Sequence, residues 1–180
     1  MKLLNKIHAL DVSAFYWCMA RKHRQDMTLL AKNISKLGDG WGYIAIALML
    51  YVSGAIEAVF LTLMFFTFGL ERLGYFILKN SLKRNRPAQA LSGFQSFITP
   101  SDQFSFPSGH SSAAFLFASF MVVIFPAWMW LAYSFALLVA LSRIFLGVHF
   151  PTDVVVGAIF GLSVGLVCMQ YLPSLIAPWF

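Results

Sequence analysis

Charge is scarce in this chain of 180 residues. Asp, Glu, Lys and Arg together make up 11% of it, where a water-facing surface calls for roughly 25%. Acidic residues are the scarcest, seven against thirteen Lys and Arg. Cysteine is nearly absent: Cys18 and Cys168 lie far apart, and neither belongs to a C-x-x-C pair or a metal-ligand run. That excludes a disulfide framework, and both read as small apolar residues. Strand signals are missing as well, because the apolar runs are long and lack period-2 alternation. No tandem repeat or low-complexity run stands out.

Hydrocarbon is what the chain has in excess. Hydrophobic residues make up 59% of it, against about 45–50% in a soluble domain. A globule this small cannot hide so much apolar surface from water. The sequence therefore excludes a soluble enzyme and a disordered chain, and it implies an all-α, polytopic transmembrane helix bundle. A spanning helix needs roughly 20 mainly apolar residues. Five spans are expected, at about 41–55, 57–78, 110–125, 127–147 and 152–172, divided by the Val52–Glu57 stretch, Pro126 and Pro151. The formal net charge of +6 then suits anionic headgroups or an anionic substrate rather than nucleic acid.

Residues 1–40 differ from the rest. They carry Lys2, Lys6, Arg21, Lys22, Arg24, Lys32 and Lys36 against Asp11, Asp26 and Asp39, with Leu, Ile and aromatic residues between. That pattern predicts one or two amphipathic interfacial helices, hence an amino-terminal segment 1–40 and a transmembrane domain 41–180. A cleaved signal peptide is not expected, since Asp11 interrupts any apolar core. With five spans, the amino terminus, the 79–107 loop and the 147–152 turn share one membrane face. Every Lys and Arg except Arg72 falls on or near it.

Three clusters meet on that face. Lys79 and Arg86-Pro87 end the second span, Pro107-Ser108-Gly109-His110 opens the third, and Ser142-Arg143, His149 and Asp153 bridge the fourth and fifth. Lys79, Arg86 and Arg143 supply permanent cations, and an Arg fork fits phosphate oxygens. Ser108 and Gly109 stand at a helix amino terminus, where free N–H groups favour an anion. Asp153, four residues after His149, can fix its tautomer and leave the other ring nitrogen the better nucleophile. Taken singly, Arg86 and Arg143 read as snorkelling cations and the prolines as helix punctuation. Jointly, they read as a phosphate site with a nucleophile, an orienting acid and a second histidine.

Lys79-x6-Arg86-Pro87, Pro107-Ser108-Gly109-His110 and Ser142-Arg143-x5-His149-x3-Asp153 resemble the three-part signature of the type-2 phosphatidic acid phosphatase superfamily. The resemblance implies a membrane lipid phosphatase that uses no metal or other cofactor. His149 would form a phosphohistidine, Asp153 would orient it, and His110 would protonate the leaving oxygen. Lys79, Arg86, Ser108, Gly109 and Arg143 would hold the phosphoryl group. The implied partners are membrane lipids and a lipid phosphate such as undecaprenyl diphosphate, phosphatidylglycerophosphate or phosphatidic acid; the oligomeric state stays open. A catalytically idle membrane protein keeping the fold is the alternative.

Several further expectations attach to single residues. Glu71 and Arg72 fall inside a span, where a lone charge costs ~2.5–3.5 kcal/mol, so pairing or a shallow position is expected. Glu71, Tyr75 and Lys79 share a helical face. Lys83 and Arg84 are expected to face headgroups, and His8 and His23 to lie on the surface. Phe106, Phe145 and Phe150 are expected to line the gap that reads the lipid tail. The resemblance implies an inner-membrane location with the active site facing the periplasm or the cell exterior, whereas the Lys/Arg excess on that face argues for the cytoplasm.

Overall fold

The computed structural model describes residues 2–20 and 24–176, and the described residues form helices and no strand. His23 lies outside them. The helices are α1 (Lys2–Met19), α2 (Arg24–Leu37), α3 (Gly40–Val52), α4 (Ala58–Leu82), the single turn α5 (Pro87–Ala90), α6 (Gly109–Ile124), α7 (Met129–Phe145) and α8 (Pro151–Ile176). A 3₁₀ turn, Pro126–Trp128, joins α6 to α7.

Helix ends follow local chemistry. Pro87 and Pro151 open α5 and α8, as first-turn prolines do, because their missing N–H would lack an intrahelical partner anyway. Ser108 caps α6 by accepting from the Ser111 backbone N–H. At the end of α7, Gly147 takes a φ of 72°; its N–H reaches Ile144 O at 2.8 Å and Val148 N–H reaches Arg143 O at 3.3 Å. That double closure satisfies the last carbonyls and reverses the chain toward His149.

Three segments are long and apolar enough to cross a membrane: Ala58–Ala90, which contains α4, Pro126–Phe145 and Pro151–Leu172. The two others expected to span, Gly40–Val52 and Gly109–Ile124, are shorter apolar helices. At 1.5 Å per residue they reach about 20 and 24 Å, less than the roughly 30 Å of bilayer hydrocarbon.

Helix α6 is the axis of the bundle, packed between α8, α7 and α4, with α2 along α7 and α3 beside α4. Its Leu116, Phe117 and Phe120 join Tyr43, Leu63, Met64 and Val139 in the main core. The outer surface is apolar, with Val52 83% and Trp130 78% exposed. Among lipid tails as apolar as Leu, close packing rather than expulsion from water holds such helices together. A stripe of Gly157, Gly161 and Gly165 makes that packing close. A Cβ on Gly157 would lie 2.4 Å from Ser108 O, and one on Gly161 would lie 2.0 Å from Ser112 O.

Candidate functional site

The three sequence clusters converge where α4 ends, α6 begins, α7 ends and α8 begins. The α6–α8 contact is fixed by the backbone itself, since Ser108 N–H donates to Asp153 O at 2.9 Å. Beside that joint lies a cavity of about 270 Å³ walled by Arg72, Tyr75, Arg86, Asp102, Gly109, His110, Arg143 and His149. Of the eight expected site residues, Arg86, Gly109, His110, Arg143 and His149 line it. Asp153 stands behind His149. Lys79 reaches in from α4 through Tyr75 and Asp102. The Ser108 hydroxyl is engaged with Ser111, accepting from its Oγ at 2.8 Å.

His149 is buried, and its two nitrogens face different partners. Nε2 lies 3.5 Å from Arg86 Nη1, and because a guanidinium only donates, this nitrogen is the acceptor. Nδ1 lies 3.7 Å from Asp153 Oδ2, an ion-pair separation rather than a hydrogen bond. Burial lowers the His149 pKa, Asp153 raises it, and Arg86 and Arg143 lower it further, leaving it at about 4. Around neutral pH the ring is therefore uncharged, with the Nε2 lone pair on the cavity side.

The cations already hold an anion, and it is a residue of the protein. Asp102, in the loop before α6, accepts from Lys79 Nζ at 2.6 Å and from Tyr75 Oη at 2.7 Å. Its other oxygen takes Arg86 Nη2, and its carbonyl takes Arg86 Nε at 3.1 Å. Burial alone would raise its pKa, but hydrogen bonds from Lys79, Tyr75 and Arg86 outweigh that and hold it at about 2. Arg143 is tied to the Ser35 hydroxyl of α2 by one Nη, while its buried Nε finds no partner among the described residues.

His110 is held from outside the sequence clusters. Its Nε2 lies 2.8 Å from an oxygen of Asp39, at the α2–α3 turn. Nothing in the spacing of the motifs singles out Asp39, Asp102 or Asp11. Tyr75 did carry a signal, lying one turn before Lys79 on the same helical face. Its ring packs on the start of α6, where a Cβ on Gly109 would come within 3.0 Å of it.

Glu71 finds the pairing expected of it: it pairs with Arg72 at 2.5 Å and accepts from the Ser112 hydroxyl at 2.5 Å, joining α4 to α6. Its full burial makes those partners necessary. Arg84 does not face headgroups, because the left-handed residue Lys83 (φ 46°) turns the chain back after α4. Arg84 instead donates to Asp153 Oδ1 and Thr152 Oγ1, both at 2.7 Å. Nor do Phe106, Phe145 and Phe150 line the apolar opening: Phe150 is fully buried against Phe15. The apolar groove beside the site, about 330 Å³, runs between Tyr43, Ile44, Met64, Phe65, Phe68 and Ala113 and ends on Arg72 and His110. His8 is exposed as expected, with its ring edge against Phe150.

The chain is similar to known proteins in sequence and in overall fold. The chain is 40% identical to phosphatidylglycerophosphatase B of Bacillus subtilis over 111 residues, covering 56% of this chain and 52% of that one. It is 31% identical to the lipid A 1-phosphatase of Rhizobium johnstonii over 102 residues, 54% of this chain and 42% of that protein. An undecaprenyl-diphosphatase of Sulfolobus acidocaldarius matches at 38% over 72 residues, 39% of this chain and 34% of that one. The chain thus spans about half the length of these relatives or less. Among solved structures, a transmembrane PAP2-type phosphatidylglycerolphosphate phosphatase from Bacillus subtilis superposes with a TM-score of 0.77 at 26% identity, over 93% of this chain and 86% of that one. Aquifex aeolicus LpxE superposes equally well, with a TM-score of 0.77 at 26% identity, over 90% of this chain and 96% of that one. The PAP2 superfamily profile matches residues 57–176, the stretch that holds all three clusters. That match covers well over half of the chain, and with it the chain belongs to the PAP2 superfamily.

Proposed function

We propose that this protein is a multi-pass membrane lipid phosphatase that releases phosphate from a lipid monoester or diphosphate through a phosphohistidine. The observation that carries the reading is the convergence of His149 Nε2, Arg86, Arg143 and His110 on one polar cavity, which meets an apolar groove at Arg72 and His110. A headgroup phosphate fits the first and a lipid tail the second.

In the proposed reaction the phosphoryl group takes the place of Asp102 among Lys79, Arg86 and Tyr75, and the free Nε of Arg143 meets another oxygen. His149 Nε2 attacks phosphorus as the P–O bond to the lipid breaks. His110, oriented by Asp39, gives its proton to the leaving oxygen and then takes one from the water that attacks the phosphohistidine. The P–N bond breaks, phosphate leaves and His149 is restored. Preorganised donors of this kind are worth about 3 kcal/mol each when removed singly. No step calls on a metal. The relatives named for phosphatidylglycerophosphate, undecaprenyl diphosphate and lipid A support a lipid phosphate as substrate.

The test is phosphate release in mixed micelles from phosphatidic acid, an isoprenyl diphosphate and a soluble aryl phosphate. The expected result is turnover of both lipids with kcat/KM well above that of the aryl ester, since the bilayer orients only the former at the site. His149→Ala should lower kcat on the order of 10,000-fold, Asp153→Asn less, and EDTA not at all. A catalytically idle protein would release nothing from any of the three.

A further inference from the structure

The cluster behind the His149–Asp153 pair joins three elements that are far apart in sequence. Asp153 is fully buried at the start of α8. One of its oxygens, Oδ2, accepts from the Phe150 N–H at 2.8 Å and faces His149. The other, Oδ1, accepts from Arg84 Nη1 at 2.7 Å. The second nitrogen of that guanidinium, Nη2, donates to Asp11 Oδ2 of α1 at 2.5 Å. Asp11 is itself buried and caps α8 from outside, accepting from the Thr152 N–H at 2.9 Å and the Thr152 hydroxyl at 2.6 Å. The Arg84 guanidinium lies 4.3 Å over the Phe150 ring, a cation–π contact that adds to its hold at this place.

We propose that Arg84 and Asp11 are positioning residues for the proposed nucleophile: they hold Asp153 through its far oxygen and set how much of its negative charge His149 feels. The role rests on the phosphatase reading of the site. Two carboxylates share one guanidinium, so the charge on Asp153 is partly balanced from behind. Removing Arg84 leaves that charge for His149 alone and favours the imidazolium. Removing the Asp11 charge commits Arg84 wholly to Asp153 and disfavours it. The two substitutions therefore push the nucleophile in opposite directions. A lost packing contact would not do this. The other charged or titratable groups facing the pair are Lys79 on α4, Arg86 after it, Asp102 in the loop, His110 on α6, Arg143 on α7 and, at the Phe150 ring, His8 on α1. All are unchanged in both variants.

The experiment compares the acid limb of the kcat/KM–pH profile for the wild-type protein, Arg84→Gln, Arg84→Lys and Asp11→Asn, with phosphatidic acid in mixed micelles. The limb should move up by about one pH unit in Arg84→Gln, return toward wild type in Arg84→Lys, and move down in Asp11→Asn. A limb that stays in place in Arg84→Gln while total activity falls equally at every pH overturns the proposal and leaves a structural role. Should Arg84→Gln fail to fold, Asp11→Asn decides, since the Asn amide oxygen can still accept from Thr152; an unmoved or raised limb there overturns it. Lack of wild-type turnover of phosphatidic acid and of the isoprenyl diphosphate alike would overturn the phosphatase reading, and this role with it. Wild-type turnover with unmoved limbs would overturn this role alone.

Discussion

Asp102 presents its carboxylate oxygens to Lys79, Tyr75 and Arg86, the groups that hold the phosphoryl oxygens in the proposed reaction. In that reaction a phosphoryl ligand has to compete with a carboxylate that is tethered beside the site. Asp102→Asn removes the charge of that competitor while keeping its shape. Inorganic phosphate and vanadate should then inhibit more strongly, by roughly tenfold if about 1.4 kcal/mol of competition is lost; equal inhibition constants in the two proteins would refute the competition. His149 makes a second claim at this scale. Its pKa falls from the usual 6.5 to about 4 on folding, through burial first and then Arg86 and Arg143. The unfolded chain therefore takes up a proton that the folded chain refuses. The stability this histidine confers is complete above pH 6.5 and drains away as pH falls toward 4. A His149→Phe variant should show a flatter dependence of Tm on pH across that window, measured by thermal melting in detergent.

Among the elements, the meeting of α6 and α8 sets the site, and the glycine stripe sets their meeting. Gly161→Leu would drive a side chain into the Ser112 carbonyl, part the helices and displace Asp153 from Ser108. It should lower both Tm and phosphate release. Gly69→Ala, where a Cβ meets nothing within 4 Å, should alter stability by no more than about 1 kcal/mol. Comparable melting curves for the two variants would show the close approach to be immaterial. Helix positions were legible in the sequence because apolar length and proline punctuation are local signals: Val52, Pro126 and Pro151 divide the chain much as expected. The stripe was legible in principle, as small residues every fourth position, yet its partner was not, because Ser108 and Ser112 reveal their carbonyls only once the helices cross. The three aspartates are harder still. Asp11, Asp39 and Asp102 sit at no fixed spacing from the motifs they serve, and a carboxylate in a loop or an amphipathic helix has the pattern of a solvated charge. Arg84 was misassigned for a related reason. Its inward turn depends on the left-handed backbone at Lys83, which lysine does not advertise.

For the molecule as a whole, the charge bias on the face that carries the candidate site is smaller than the composition suggests. Lys79, Arg84 and Arg86 are ion-paired within the fold, and Arg143 is buried. These residues answer to the site and not to membrane sidedness, and the positive-inside count then rests on the amino-terminal helices and Lys83. We expect the 88–105 loop to face the cell exterior. Single cysteines placed there, in a background with Cys18 and Cys168 replaced, should react with a membrane-impermeant maleimide in intact cells. Labelling seen only after lysis would place the site in the cytoplasm.

His110 stands on three walls at once. It borders the polar cavity, the apolar groove, and a further crevice of about 340 Å³ that runs past Lys32, Lys36 and Asp39. In the proposed reaction, the two products form at a junction of oil and water. Freed phosphate is insoluble in the hydrocarbon, and the lipid product, whatever charge its headgroup keeps, carries tails that are insoluble in water. Each departs into a phase closed to the other, so the pair cannot readily meet again on His149. Partition then opposes the reverse reaction, and turnover is driven one way by where the products dissolve.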